Sequence, residues 1–238
     1  MKQPVTALIA MLVITITTAC SNKISNSNSA NMENDKGWRS LFDGKSLAGW
    51  RTYQNKTSDS WSVSNGVLHC KGSTDDKSDL RADLITEDQF DNFELSVDWK
   101  ISPQGNSGII YLFNETEKAA YLTGPEYQII DDKGFPQKLE DWQKTGANYA
   151  MDAAPTAVTK PVGEWNNTRI VVNKGHVEHW LNGKKVVETQ MWTDEWQKKK
   201  TTGKWKDAPN YGTVKKGHIG LQDHGSEAWF RNIKIRNL

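Results

Sequence analysis

Cysteine is nearly absent from this chain. Cys20 and Cys70 are its only two in 238 residues, too few for the disulfide framework of small secreted domains. The first sits beside a predicted processing site, so the second is expected to stay a reduced, packed thiol. Charge of one sign is lacking too: 30 Lys and Arg stand against 29 Asp and Glu, a formal net charge of +1. The charges are spread evenly, which leaves no basic stripe to bind a phosphate backbone and argues against a nucleic-acid partner. Helical periodicity is scarce, and long apolar runs are confined to the first twenty residues. No internal linker divides the remainder of the chain, so one large domain is expected. What the chain does have is a hydrophobic content of 36% and 11 tryptophans. That is enough for a core, with aromatics left over to face a ligand.

The N-terminus reads as a targeting segment. Lys2 precedes a threonine-interrupted apolar run from Val5 to Ile16, and Thr17-Thr18-Ala19 leads into Cys20. The run is too short to span a membrane and has the layout of a signal peptide. A small residue directly before the cysteine resembles a bacterial lipoprotein processing site, where the cysteine becomes the lipidated first residue, although Thr17 stands where leucine is usual. Plain secretory cleavage is the alternative. Residues 21–36 are rich in Ser, Asn and Lys with little to bury, the composition of a flexible tether. The organisation expected is a signal peptide over 1–20, a tether over 21–36 and a domain over 37–238. The mature chain is expected in the cell envelope, lipid-anchored in the periplasm or at the outer membrane.

From Trp38 the pattern is that of an all-β protein. Two short alternating runs flank Asn65-Gly66, the strongest short hairpin signal. Phe93 to Trp99 alternates strictly, and much of Gly108 to Phe113 does likewise. Arg169 to Asn173 and Val177 to Leu181 flank Asn173-Lys174-Gly175, and Asn182-Gly183 leads into Lys184 to Thr189. Gly217 to Gln222 and Trp229 to Ile235 close the chain as strands. Many short strands with turn signals between them predict an antiparallel β-sandwich. Short helices are expected at Glu140 to Lys144 and Thr193 to Lys200. The second belongs to a lysine-rich insertion whose Trp192, Trp196 and Trp205 read as staples beneath a loop or as a lid over a sugar. Ser73 to Lys77 reads as an exposed loop.

The stretch Gly124-Pro-Glu-Tyr-Gln-Ile-Ile-Asp-Asp132 is the most suggestive. Alternation sends Tyr127 and Ile129 to a core and Glu126 and Gln128 to the other face. Asp131 falls with the core set, so it caps the strand end or is returned to the polar face by a bulge. An ordinary half-buried strand with a solvated face has the same pattern. In Gly217 to His224, Ile219 and Leu221 have core parity, which leaves Gly220, Gln222 and His224 on the opposite face. A glycine in mid-strand often permits close approach by a ligand.

Several ordered motifs resemble the 3-keto-disaccharide hydrolase domain family. Leu41-Phe-Asp-Gly44 and Leu47-Ala-Gly-Trp50 are followed by Gly105-Asn-Ser-Gly108 and the Gly124 to Asp131 strand. Glu164-Trp-Asn166, His179-Trp-Leu-Asn-Gly183, Gly217 to Gly225 and Phe230-Arg-Asn-Ile233 then come in the family's order. The resemblance spans roughly Trp38 to Leu238, while Lys198 to Lys200 and Asp152-Ala-Ala match no motif. It implies a concanavalin A-like jelly roll and cleavage of glycosides whose glucose carries a ketone at C3, made by a separate glycoside 3-oxidase. The ketone acidifies the C2 hydrogen. A base can then form an enolate that expels the aglycone from C1, leaving a 2-hydroxy-3-keto-glucal to which water adds. That route needs a base near C2, donors for the enolate oxygen and an acid near the glycosidic oxygen.

On this resemblance Glu126 and His224 are the candidate catalytic pair, with His224 the base and Glu126 the acid or a substrate anchor. Gln128, Gln222 and Arg231 are donors for hydroxyls or the enolate, although Arg231 could equally hold the last strand through a salt bridge. Asp131 could orient His224 or Arg231. Asn106, Tyr111, Tyr149 and His179 are weaker contacts, and the parity of His179 with Val177 and Leu181 points to burial. No cofactor is predicted. A divalent metal stays open on Glu126, Asp131, Asp132, Asp223 and His224, although no compact ligand spacing is present. Two other functions share the fold. Glu126, Gln128 and Asp131 repeat the spacing of the Glu-x-Asp-x-x-Glu strand of laminarinase-like retaining hydrolases, and a non-catalytic lectin-like module could display the tryptophans. Mass spectrometry of the mature N-terminus is expected to find a lipidated Cys20; an unmodified Cys20, or cleavage elsewhere, contradicts the anchor.

Overall fold

Three hairpins close on residue pairs in the left-handed region, where the backbone twist of a two-residue turn matches that of its strands. The pairs are Asn65-Gly66 (φ 51° and 77°), Lys174-Gly175 (51° and 81°) and Asn182-Gly183 (49° and 82°). The computed structural model describes Met1 and residues 37–73, 80–154 and 158–238. The signal peptide, Cys20, the tether and most of the Ser73 to Lys77 loop lie outside these residues. Gly37–Leu238 forms one compact unit. Among the described residues the strands are β1 (Arg39–Ser40), β2 (Trp50–Thr52), β3 (Trp61–Ser64), β4 (Val67–Cys70), β5 (Leu84–Thr86), β6 (Phe93–Ile101), β7 (Asn106–Phe113), β8 (Glu126–Ile130), β9 (Asn166–Asn173), β10 (His176–Leu181), β11 (Lys184–Gln190), β12 (His218–Leu221) and β13 (Ala228–Asn237).

They form two antiparallel sheets. The larger runs β11-β10-β9-β6-β13-β4-β3, with β1 also on β13, and the smaller runs β2-β5-β12-β7-β8. The chain crosses between sheets after Leu221, because β12 belongs to the small sheet and β13 to the large one. Phe93, Leu95, Val97 and Trp99 of β6 and Phe230 of β13 meet Ile109 and Tyr111 of β7, Tyr127 and Ile129 of β8, and Ile219 and Leu221 of β12 in one buried cluster. Burying apolar faces of this size is the main term holding the sandwich together. Cys70 is a free thiol in that cluster, its pKa pushed up to about 12, chiefly by burial.

Tyr111, expected as a weaker substrate contact, and His179, whose parity pointed to burial, both belong to this core and not to a site. Both are fully buried. The Tyr111 hydroxyl lies 2.9 Å from Nε2 of His179, and Nδ1 lies 2.9 Å from the Gly146 carbonyl. A neutral ring that donates from Nδ1 and accepts at Nε2 satisfies all three groups, and burial holds the histidine pKa down at about 4.

The small sheet is covered on its second face only in part. Ile85, Ile110 and Phe113 pack there with Tyr53 and Ala120. Register places Glu126 opposite Ile110, and Gln128 opposite Gly108, so the same face turns polar toward the other end of its strands. Gly220, read as a point of ligand approach, lies under the apolar part instead: a Cβ there would sit 3.1 Å from the Phe113 ring.

The insertion folds as the helix α1 (Asp194–Thr202), capped by Thr193 and with Asp194 and Glu195 in its first turn and Lys199 and Lys200 in its last. This arrangement suits the helix dipole. A single 3₁₀ turn, Asp141–Gln143, stands for the other predicted helix. Trp196 and Trp205 stack on Tyr211 at 6.2 and 4.1 Å, and Nε1 of Trp192 donates to the Gly212 carbonyl at 2.7 Å. All three tryptophans are staples, not a lid. Others carry cations on their faces, among them Trp165 under Arg231 and Trp180 under Arg169, each at 4.0 Å. No helix among the described residues is long and apolar enough to cross a membrane.

Candidate active site

The polar half of the small sheet opens into a cleft of about 270 Å³ lined by Asn106, Tyr121, Glu126, Gln128, Tyr149, Lys204, Gln222 and His224. Six residues put forward from the sequence therefore meet in one place: Asn106, Glu126, Gln128, Tyr149, Gln222 and His224. A second compartment of about 290 Å³ shares Tyr121, Gln222 and His224 with it and adds Tyr53, Lys56, Arg81, Asp83, Lys118 and Asp223. Each lies near the lower end of the usual size of a small-molecule pocket, and the shared residues form the wall between them. The aromatic residues of the two compartments are tyrosines; no tryptophan lines them among the described residues.

Glu126 sits on the cleft floor, 5% exposed. Its carboxyl lies over the backbone of β7 because position 108 has no side chain: a Cβ on Gly108 would stand 2.7 Å from the Glu126 Oε1. Burial raises its pKa to about 8, and the nearby Asp83 adds to the rise; the Lys204 ammonium and a hydrogen bond from the Gln222 side chain oppose it without cancelling it. A carboxyl in this setting carries its proton at neutral pH.

Gln222 is pinned from behind. Its N–H donates to the Gly108 carbonyl at 2.9 Å, and its carbonyl accepts from the Ser107 hydroxyl at 2.8 Å. The Asn106 N–H in turn donates to the Ser226 hydroxyl at 2.9 Å. The Gly105-Asn-Ser-Gly108 motif thus locks β7, β12 and the crossover together. The side-chain oxygens of Asn106 and Gln222 are buried without a hydrogen-bond partner. Buried orphan acceptors are costly, and in a cleft wall they suit the hydroxyls of a sugar.

His224 lies past the end of β12, with its ring open at the cleft mouth. Its pKa is lowered below the usual histidine value, first by partial desolvation and then by the Arg81 charge, with Lys204 adding a smaller push. Asp83, in the second compartment, is raised to about 6, chiefly by burial, and its Oδ1 accepts from the Asp223 N–H at 2.9 Å. Asp223 accepts from the Ser60 hydroxyl at 2.6 Å and from Arg81 Nε at 3.2 Å. That network fixes the backbone on which His224 is carried.

Two candidates fall elsewhere. Asp131 caps the end of β8, accepting from the backbone N–H groups of Gln104 (2.9 Å), Lys133 (3.2 Å) and Gly134 (2.8 Å); with its oxygens committed, it orients neither His224 nor Arg231. Arg231 lies on the outer face of the large sheet, over the Trp165 ring and 3.7 Å from Asp98. Of its two readings, the salt bridge on the last strand is the one the structure adopts. Lys204, Arg81 and Asp83 were not anticipated. Lys204 belongs to the lysine-rich insertion, and the only sequence signal for it was that insertion's position outside every motif. Among the described residues, the histidine and acidic side chains close enough to share a metal ion are His176, Glu178 and Glu188, on the outer β10–β11 hairpin, where Lys185 already bridges the two glutamates. Gly108→Ala is expected to leave the fold intact, since its backbone is an ordinary strand conformation, while displacing the Glu126 carboxyl and lowering kcat about 10²-fold. Thermal melting and steady-state kinetics on one preparation check both halves.

Residues 37–236 match the model of a family described as the 3-keto-alpha-glucoside-1,2-lyase-like domain. A 3-keto-disaccharide hydrolase of Bacteroides thetaiotaomicron is 35% identical over 228 residues, covering 85% of this chain and 79% of that protein. A crystal structure from Parabacteroides distasonis, whose assignment as a glycosyl hydrolase is provisional, is 40% identical with a TM-score of 0.79, covering 87% of this chain and 96% of the other. A second protein of that organism with the same provisional assignment is 33% identical with a TM-score of 0.65, covering 84% and 99%.

Proposed function

Because the chain belongs to the 3-keto-alpha-glucoside-1,2-lyase-like domain family, we propose that it cleaves the glycosidic bond of 3-keto-glucosides and 3-keto-disaccharides by removing the C2 proton and eliminating the aglycone. Water then adds to the glucal, and the net reaction is a hydrolysis. The relatedness to a 3-keto-disaccharide hydrolase supports the substrate class. The observation that carries the mechanism is the meeting of a buried carboxyl, Glu126, and an exposed imidazole, His224, in the wall of one cleft. Glu126 is raised to about 8 and holds a proton; His224 is lowered and is free to take one. Pairs pushed apart in this way mark acid and base. His224 is the base at C2, and Glu126 the acid that protonates the departing glycosidic oxygen. Asn106, Gln128 and Gln222 hold the sugar hydroxyls, and the second compartment takes the aglycone.

A laminarinase-like retaining mechanism needs two carboxyls about 5 to 5.5 Å apart, and Asp131, its second member by spacing, is tied up as the cap of β8. A lectin-like module would bind glycans without turning them over. In this reading a glycoside 3-oxidase supplies the substrate, and lipidation at Cys20 keeps the enzyme at the envelope.

Matched native and 3-keto glucosides provide the test: only the oxidised ones should be cleaved, and equal turnover of an unoxidised glucoside overturns the reading. Activity should rise with pH through a value below 6.5 as His224 loses its proton, and fall through about 8 as Glu126 loses its own. Glu126→Gln and His224→Ala should each lower kcat roughly 10²-fold or more, the first abolishing the alkaline limb of the profile and the second the acid limb.

A further inference from the structure

The elimination leaves one need unmet. The enolate places a full negative charge on the C3 oxygen, and in a water-poor cleft that charge needs a positioned cation or strong donors. Arg231, the sequence candidate, is on the other sheet. Of the residues lining the Glu126 compartment, Lys204 alone carries a fixed positive charge. Its Nζ donates to the Tyr149 hydroxyl at 2.6 Å and lies 4.0 Å from the centre of that ring.

Both partners are held from behind. The Tyr149 N–H donates to the Glu126 carbonyl at 3.0 Å, which ties the tyrosine to the strand that carries the acid, and its ring meets Trp142 edge-on at 5.4 Å. Lys204 stands between Gly203, whose N–H closes α1 on the Lys199 carbonyl, and Trp205, buried against Tyr211 at 4.1 Å. The stapled insertion therefore delivers one ammonium to the cleft. Because the Tyr149 oxygen accepts from Lys204, its own hydrogen is left for another acceptor. The Lys204 charge acts on both Glu126 and His224.

We propose that Lys204 and Tyr149 together are the electrophilic catalysts of the reaction, holding the C3 oxygen as it becomes an enolate. This rests on the elimination reading. His224 takes the C2 proton, the C2–H electron pair becomes the C2=C3 bond, and the carbonyl π pair moves onto the C3 oxygen against the Lys204 ammonium and the Tyr149 hydroxyl. The carbonyl then re-forms, C1=C2 forms, and the C1–O pair leaves with the aglycone, which takes its proton from Glu126. When water adds, its hydroxide bonds to C1, its proton returns to Glu126, and His224 returns a proton to C2. No oxidant or reductant is consumed.

The test separates enolisation from cleavage. The 3-keto derivative of 1,5-anhydroglucitol has no leaving group at C1, so exchange of its C2 hydrogen in D₂O reports enolate formation alone. Lys204→Met should slow this exchange and the cleavage of a 3-keto-glucoside by the same factor, about 10²-fold or more, with little change in KM. Tyr149→Phe should slow both by about 10-fold, while Glu126→Gln should slow cleavage and leave exchange unchanged. Lys204→Met exchanging at the wild-type rate, or raising KM alone, overturns the assignment and makes Lys204 a binding contact. A wild-type enzyme that does not exchange the analogue overturns this assignment together with the elimination reading.

Discussion

A protonated carboxyl on the outer face of a β-sheet is the constraint around which the site is built. Glu126 would ordinarily be a solvated strand residue. Here the missing side chain at Gly108 lets it lie flat on β7, the cluster of Tyr53, Ile85, Ile110, Phe113 and Ala120 closes one side, and Tyr149 with the α1 insertion closes the other. Removing water raises its pKa by the desolvation cost of the charged form. The same closure buries oxygens of Asn106 and Gln222 that make no hydrogen bond within the protein.

The sandwich makes this possible by separating two tasks between the faces of its smaller sheet. One face of β7, β8 and β12 joins the large sheet in a core dense with aromatic side chains, and it absorbs even Tyr111 and His179. The other face is half apolar cover and half cleft. Rigid strands position Glu126, Gln128 and Asn106, whereas Gln222 and His224 come from the segment just past β12, Tyr149 from the loop between β8 and β9 and Lys204 from the turn after α1, fixed by backbone hydrogen bonds and by ring contacts with Tyr211 and Trp142.

Much of this was legible in the residues. Period-two alternation sorted Tyr127 and Ile129 from Glu126 and Gln128, and Ile219 and Leu221 from Gln222, because a strand buried on one face offers no other register. The Gly-containing pairs announced their hairpins for a comparably local reason. What could not be read depended on contacts distant in sequence. Alternation in β13 sends Arg231 outward, but it does not say to which sheet β13 belongs. Gly108 and Gly220 look alike as mid-strand glycines, and only the packing shows that one lies beneath a carboxyl and the other beneath Phe113. Lys204 comes to Tyr149 across 55 residues of chain, through an insertion with no motif to mark it. Asp131 has the spacing of a catalytic acid and the hydrogen bonds of a turn cap.

Breakage of the C2–H bond is what separates elimination from direct attack at C1. Turnover of a 3-keto-glucoside in D₂O, with the sugar product read by NMR at the earliest time points, measures this directly. Elimination followed by water addition predicts solvent deuterium at C2 of the product, in every molecule in which the His224 proton exchanges before it is returned. A product that takes up no solvent deuterium at C2, from an enzyme that also cleaves C2-deuterated substrate at the unlabelled rate, would mean that C1 was attacked with C2 untouched, and would contradict the roles given to His224 and Glu126.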